Sequence, residues 1–332
     1  MGRYPLGARL HRSGWEEVSP GAGGDVASVR VLVTGGSGFI GRQVVSELSA
    51  AGSYVRVVDL QPHPDPEVDA VLGDIAEPGI VEEALAGGFD QVVHLAAVTQ
   101  VLNSLAQPDL AFRTNVQGTA LLLEAARAVG VKSVAFASTN AVIGPRDDAI
   151  TEDTPLRPLT PYGSTKAAGE MLMSAYTASY GLRCACLRLT NVYGPGMQAK
   201  DSIVARLMRA IRVGSTFEVY GDGLQVRDYV HVSDVVAGIR LALASEDWSG
   251  PIVIGTGSSL SVLDVVEEVR RVSGAELPVE HGPAKPGEMP AVIVDNARAR
   301  SLGWGPQYSF SDGLVGVWDE WSQADVEGAV AA

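Results

Sequence analysis

The sequence is short of cysteine, of positive charge and of long apolar runs, and each shortage removes a class of protein. Its two cysteines, Cys184 and Cys186, flank a single alanine in an apolar stretch. That spacing excludes a disulfide framework and reads as reduced thiols packed in a core. Lysine and arginine number 25 against 39 aspartates and glutamates, a formal net charge of −14. Nucleic acid or an anionic membrane is therefore not expected as the main partner, although a local basic pocket stays open. No stretch approaches the roughly 18 consecutive apolar residues of a membrane-spanning helix. The five histidines show neither an HExxH pattern nor a cysteine–histidine spacing, so no metal site is expected. Residues 1–28 are rich in Gly, Pro and Ser and carry arginines without an apolar centre. They read as a flexible leader and not as a secretory signal, and residues 326–332 read as a tail. A cytoplasmic enzyme is the class that these absences leave.

The 332 residues are 46% hydrophobic and 19% charged, enough to bury a sizeable core. From residue 29 onward, β-branched runs at 29–33, 54–58, 91–95, 133–137 and 184–189 alternate with helical patterns at 40–51, 80–86, 110–129 and 162–180. Continuous apolar strands between helices predict an α/β fold with a doubly wound parallel sheet of the Rossmann type. Beyond residue 189 the rhythm turns irregular, with helices expected at 203–213, 235–243 and 262–272 and short strands at 217–220 and 251–254. The expected organisation is a nucleotide-binding domain over 29–189 with a return near 228–256. Residues 190–227 and 257–325 would form a smaller, interleaved α/β lobe that binds substrate.

The segment Thr34-Gly35-Gly36-Ser37-Gly38-Phe39-Ile40-Gly41 joins the first strand to the first helix. Glycines at 35, 38 and 41 permit a tight turn and close approach of backbone to a pyrophosphate. The helix N-terminus behind them offers unpaired N–H groups and the positive end of its dipole. The second strand ends in Asp59-Leu60, where a carboxylate accepts hydrogen bonds from ribose hydroxyls and repels a 2′-phosphate. No arginine follows, so NAD is expected over NADP. Asp74-Ile75, after the next strand, is placed to meet the adenine and reads equally as a plain turn.

Tyr162 and Lys166 lie one helical turn apart after Pro161, on one face. A tyrosine that ordinarily titrates near pH 10 is a poor base at neutrality. A neighbouring ammonium together with the positive nicotinamide ring is expected to lower it. Ser138 and Thr139 close the strand before it, at the edge where such sheets bind ligands. Their hydroxyls are candidates for the substrate oxygen, or simply cap the strand. His94 and His231 sit in apolar runs and read as packed side chains.

Together these motifs resemble the extended short-chain dehydrogenase/reductase family, in its nucleotide-sugar epimerase/dehydratase branch. The likeness covers about residues 29–322. It rests on the glycine turn at 34–41, His94-Leu95-Ala96-Ala97, Asn115-Val116-Gln117-Gly118-Thr119, the 162–166 segment, Asn191-Val192-Tyr193-Gly194-Pro195 and Arg227-Asp228-Tyr229-Val230-His231-Val232-Ser233-Asp234. The resemblance implies that Leu95, Ala96 and Ala97 line the cofactor and that Thr139, Tyr162 and Lys166 form the catalytic set. It implies that Asn191 and Arg227 hold a substrate diphosphate, with Lys285 as a second cation and Glu288 on the nucleoside ribose. Arg227 paired only with Asp228, and Lys285 as a solvated loop charge, are the plainer readings. It further implies a homodimer through the helices at 110–129 and 162–180.

The reaction expected from the resemblance is NAD-dependent 4-epimerisation of a UDP-sugar through a 4-keto intermediate. A dehydratase, decarboxylase or 4-ketoreductase on a nucleotide sugar is the alternative, and a non-catalytic NAD sensor a more distant one. Dehydratases of the branch carry Asp-Glu directly after the catalytic threonine, where this chain has Asn140 and Ala141. Ile143 replaces a tyrosine that relatives use for local packing. Gln198 stands where uronic-acid-acting relatives often carry arginine, which disfavours a carboxylated sugar.

Overall fold

The computed structural model describes residues 28–323 except 145, 147 and 285–290. The first half is a strand–helix alternation: β1 (Arg30–Thr34), α1 (Phe39–Ala50), β2 (Tyr54–Asp59), β3 (Asp69–Leu72), α2 (Ile80–Ala84) and β4 (Gln91–His94). Then come α3 (Val101–Ala106), α4 (Pro108–Phe112), α5 (Gly118–Val129), β5 (Ser133–Thr139), α6 (Pro161–Tyr180) and β6 (Arg183–Leu189). The remainder is β7 (Asn191–Tyr193), α7 (Ile203–Val213), β8 (Phe217–Tyr220), β9 (Val226–His231), α8 (Val232–Ala244) and β10 (Gly250–Ile254). It closes with β11 (Ser259–Ser261), α9 (Val262–Ser273), β12 (Val279–Gly282), α10 (Ala297–Ser301) and α11 (Phe310–Gln323).

Seven strands form one parallel sheet in the order β10-β6-β5-β4-β1-β2-β3. The two-residue period of a strand divides its side chains between two cores. Val31 and Val33 join Val57, Val93, Leu187 and the helices α1 and α8 on one face. Leu32 joins Val58, Phe136, Cys184 and Cys186 beneath α2, α5 and α6 on the other. The cysteines thus share a face because they are two residues apart, and both are buried thiols. Each fully buried Val or Leu contributes about 1.5–3 kcal/mol of transfer free energy, so a sheet covered on both faces is a rigid floor.

A second lobe packs around β8 with β12 and around α7, α9 and α11. Of the segment 228–256, α8 and β10 return to the main sheet, whereas β9 pairs with β7 and β11 in a separate small sheet. Another difference from expectation lies at 110–129. The chain there is α4, a π-helical turn at Arg113–Gln117, and then α5. The wider turn accompanies Asn115, whose buried side chain bonds to both the N–H and C=O of Val98 and to Thr165. Among the described residues no helix is long and apolar enough to cross a membrane.

Candidate active site

A cleft of about 1360 Å³ runs along the carboxyl ends of the strands, between the sheet and the second lobe. The strand order reverses between β1 and β4, the crevice where open α/β sheets bind ligands. The glycine turn fills its middle. Gly35 has φ +72°, and a Cβ there would lie 2.7 Å from the Ala96 nitrogen. A Cβ on Gly41 would lie 2.1 Å from the Gly35 carbonyl oxygen. No side chain caps the N-terminus of α1, so its first N–H groups meet the cleft, which Ser37, Gly38, Phe39 and Ile40 line.

Asp59 ends β2 with one carboxylate oxygen accepting from the Ser37 N–H at 3.0 Å and the other from the Gln61 N–H at 3.1 Å. Leu60 beside it is exposed at the cleft wall. Asp74 accepts from the Ala76 N–H, and Arg113 reaches it at 2.7 Å. Asp74 thus caps a turn and, with Ile75, lines the cleft. Leu95, Ala96 and Ala97 continue the wall from β4. Their backbone is set by Thr34, whose Oγ1 accepts from the Ala96 N–H at 3.1 Å and lies 2.7 Å from His94 Nδ1. Thr119 donates to the Asn115 carbonyl, so His94 Nε2 must donate to Thr119 at 2.8 Å and Nδ1 must accept. His94 is thus a neutral brace inside the core, as expected. Burial, with a smaller contribution from the Lys166 charge, pushes its pKa down to about 3. His231 is packed likewise, stacked on Tyr308.

Thr139, Tyr162 and Lys166 meet in the same cleft. Pro161 is the first residue of α6 and the Thr160 hydroxyl accepts from the Gly163 N–H, so the tyrosine falls in the first turn of the helix. The Tyr162 N–H donates to Ser104 Oγ at 3.1 Å. Lys166 is buried, its Nζ 4.7 Å from the centre of the Phe136 ring, and burial lowers its pKa to about 7. The expected lowering of Tyr162 by Lys166 is not what the protein alone produces. Burial raises the phenol above its ordinary value, and the hydrogen bond with Thr139 pulls the other way.

Ser138 lines the cleft, but its hydroxyl is engaged on the core side. Neighbouring strand residues point to opposite sides, and Ser138 Oγ donates to Glu170 at 2.5 Å in the core. Its hydroxyl proton goes to that carboxylate, whereas the Thr139 hydroxyl donates to Asn140 Oδ1 at 3.3 Å. Thr139 Oγ1 also accepts from the Ala141 N–H at 3.1 Å.

On the second lobe Asn191 and Arg227 both line the cleft. Asn191 Nδ2 donates to the Asp228 carbonyl. The Asp228 carboxylate is taken by Thr190, Thr256 and the Gly257 N–H, all at 2.8–2.9 Å. Lys285 and Glu288 lie outside the described residues. Gln198 does not line the cleft, although Ala199 and Lys200 directly after it do. Ile143 is buried in an apolar cluster with Val253 and Val292. Two cations that the motifs do not mark, Lys200 and Arg206, also line the cleft. Lys200 sits 5.0 Å from the Phe39 ring centre, and Arg206 lies over Phe217 and Tyr220. In a chain with four lysines, one placed directly behind the 191–195 segment was the available signal.

Similarity to known proteins agrees with this geometry. The sequence model of the NAD dependent epimerase/dehydratase family matches residues 31–255. A dTDP-glucose 4,6-dehydratase of Streptomyces griseus is 36% identical over 308 residues, 87% of this chain and 92% of that protein. The solved structure of MoeE5 in complex with UDP-glucuronic acid and NAD is 38% identical with a TM-score of 0.82, covering 88% of this chain and 98% of that one. The Thermus thermophilus UDP-glucose 4-epimerase complex with NAD is 34% identical with a TM-score of 0.84, covering 90% of this chain and 100% of that one. With a glycine cradle at β1, a carboxylate at β2 and a Tyr–Lys pair at α6, this chain belongs to the NAD-dependent epimerase/dehydratase family of enzymes.

Proposed function

We propose that the protein is a UDP-sugar 4-epimerase. The carrying observation is a complete Thr139–Tyr162–Lys166 set with no acid–base pair beside it. Asn140 and Ala141 follow Thr139, and an amide or a methyl cannot deliver or take the protons of an elimination. Among the described residues, the carboxylates lining the cleft are Asp59, Asp74 and Glu77 at the β2–β3 end and Asp201 and Glu218 on the second lobe.

The cradle fits a dinucleotide because only hydrogen atoms at 35 and 41 leave the turn room to close. Gly35, Ser37, Gly38, Phe39, Ile40 and Gly41 would hold the pyrophosphate of NAD, Asp59 and Leu60 the adenosine ribose, and Asp74 and Ile75 the adenine. Leu95, Ala96, Ala97 and Lys166 would flank the nicotinamide half. Bound NAD supplies a hydride acceptor and donor for C4 and a positive ring that favours the tyrosine phenolate. Tyr162 takes the proton of the sugar's 4-hydroxyl, with Thr139 bonded to the same oxygen and Lys166 offsetting the negative charge. Asn191, Arg227, Lys200 and Arg206 hold the diphosphate while the 4-keto sugar turns over. Tyr162 then returns the proton to the opposite epimer. Exposed Phe112 on α4 and Met171 and Tyr180 on α6 support the homodimer expected through these helices.

The reading is tested with UDP-glucose, UDP-galactose and UDP-glucuronic acid in D₂O, followed by NMR. The expected product is the C4 epimer with every carbon-bound hydrogen retained. Deuterium at C5 or C6, or an accumulating keto sugar, would establish a dehydratase instead.

Cofactor choice gives a separate prediction. Asp59→Ala removes a charged acceptor, an interaction worth about 1.5–3 kcal/mol, and so should weaken NAD about 10–100-fold. NADP should be affected far less, since its 2′-phosphate no longer meets a carboxylate. Titrating both dinucleotides calorimetrically checks this; an unchanged preference would remove Asp59 from the ribose site.

A further inference from the structure

Tyr162, Lys166 and Glu170 are spaced by four residues and so share one face of α6. Glu170 is buried, and a carboxylate there is one turn from Lys166. It does not pair with that lysine. Arg188 on β6 takes it in a fork, Nη2 to Oε2 at 2.9 Å and Nε to Oε1 at 3.1 Å, with only 4% of either side chain exposed. The remaining Arg188 nitrogen donates to the backbone carbonyls of Thr151 and Glu152. Arg188 stands directly across from Ser138 in the β5–β6 register, and Ser138 donates to Glu170 Oε1. One carboxylate therefore ties the catalytic strand, its neighbour and the catalytic helix together behind the site.

We propose that Arg188 is a positioning residue of the reaction: it locks the Glu170 carboxylate onto Ser138 and keeps that charge away from Lys166 and Tyr162. This rests on Tyr162 being the base. The other ionisable groups around Lys166 do not supply a competing charge. His94 on β4 is neutral, Arg113 on the π turn pairs with Asp74, and Glu124 and Arg127 on α5 pair with each other at the surface. Asp109 on α4 is exposed, burial keeps Cys186 on β6 a neutral thiol, and Arg183 on β6 is bound to the carbonyls of the last turn of α8. Burial alone accounts for the fall of Lys166 toward 7, as a lysine without a carboxylate partner requires.

The test uses the NAD-loaded enzyme carrying Glu170→Gln, Arg188→Met, or both. The Tyr162 phenolate is titrated by ultraviolet difference against a Tyr162→Phe partner in each background, and kcat for UDP-galactose is followed over the same pH range. Glu170→Gln leaves the Arg188 cation unbalanced and should move the titration and the acid limb of kcat down by about one pH unit. That is the effect of a unit charge two helical turns, about 11 Å, away at an effective dielectric of about 20. Arg188→Met frees the carboxylate and should move both up by a similar amount, with KM within about twofold. The double variant should return the titration to the wild-type position. A titration unmoved in Glu170→Gln overturns the proposal whether or not Arg188→Met folds, as does a shift of the same sign in both single variants. Near-normal turnover in Tyr162→Phe would instead defeat the assignment of the base, and that result is read without the titration.

Discussion

Replacing Tyr162 with phenylalanine should lower kcat by about 10²–10⁴-fold, the usual contribution of a positioned acid–base group, while NAD and nucleotide sugar still bind. The substitution removes one oxygen and little else. The Tyr162 backbone stays anchored through its N–H to Ser104, and α6 keeps its Thr160 cap and Pro161 start. The phenol oxygen, by contrast, interacts with the Thr139 hydroxyl at the cleft. The loss should therefore fall on kcat and leave KM nearly unchanged, because the residues proposed to hold the nucleotide lie on the second lobe. Steady-state rates together with NAD retention on gel filtration check the split. Turnover within about tenfold of the parent would show that another group moves the proton.

Gly41→Ala should be strongly damaging to cofactor binding. Its Cβ would sit 2.1 Å from the Gly35 carbonyl oxygen and 2.6 Å from the Gly36 Cα. Both are backbone atoms of the turn proposed to hold the cofactor, so relief requires the turn and α1 to part by about 1 Å. Overpacking of this kind costs about 1–3 kcal/mol or more, and the displaced N–H groups no longer converge on a phosphate. The purified variant should carry less than about a tenth of the parent's NAD and melt several degrees lower. Gly38→Ala is the internal control, since its Cβ would approach the same oxygen only to 3.3 Å. Equal NAD content in all three proteins would dismiss the cradle as the phosphate site.

The local signals in the sequence carried most of the sheet and half of the site. The β1–α1 turn, Asp59 and the α6 pair could be located because glycine, a strand-end carboxylate and a four-residue spacing each speak through near neighbours. What escaped depended on distant partners. The π turn at Arg113–Gln117 is set by Asn115 reaching Val98 and Thr165, contacts invisible to a 3.6-residue period. The detachment of β9 from the main sheet follows from pairing with β7 and β11. Ser138 was within reach, because strand alternation forbids it and Thr139 from facing the same way. Its partner Glu170, 32 residues on, was not.

The order of the sheet sets a distance as well as a shape. Asp59 ends β2 and Thr139 ends β5, with β1 and β4 between them. Three inter-strand steps of about 4.8 Å separate the two residues laterally by about 14 Å. Hydrogen bonding between strands fixes that gap to a fraction of an ångström, so the sheet works as a ruler graduated in strands. A ligand that grips Asp59 reaches Thr139 only if it spans the whole interval. A mononucleotide would occupy one end of the scale and leave the other untouched.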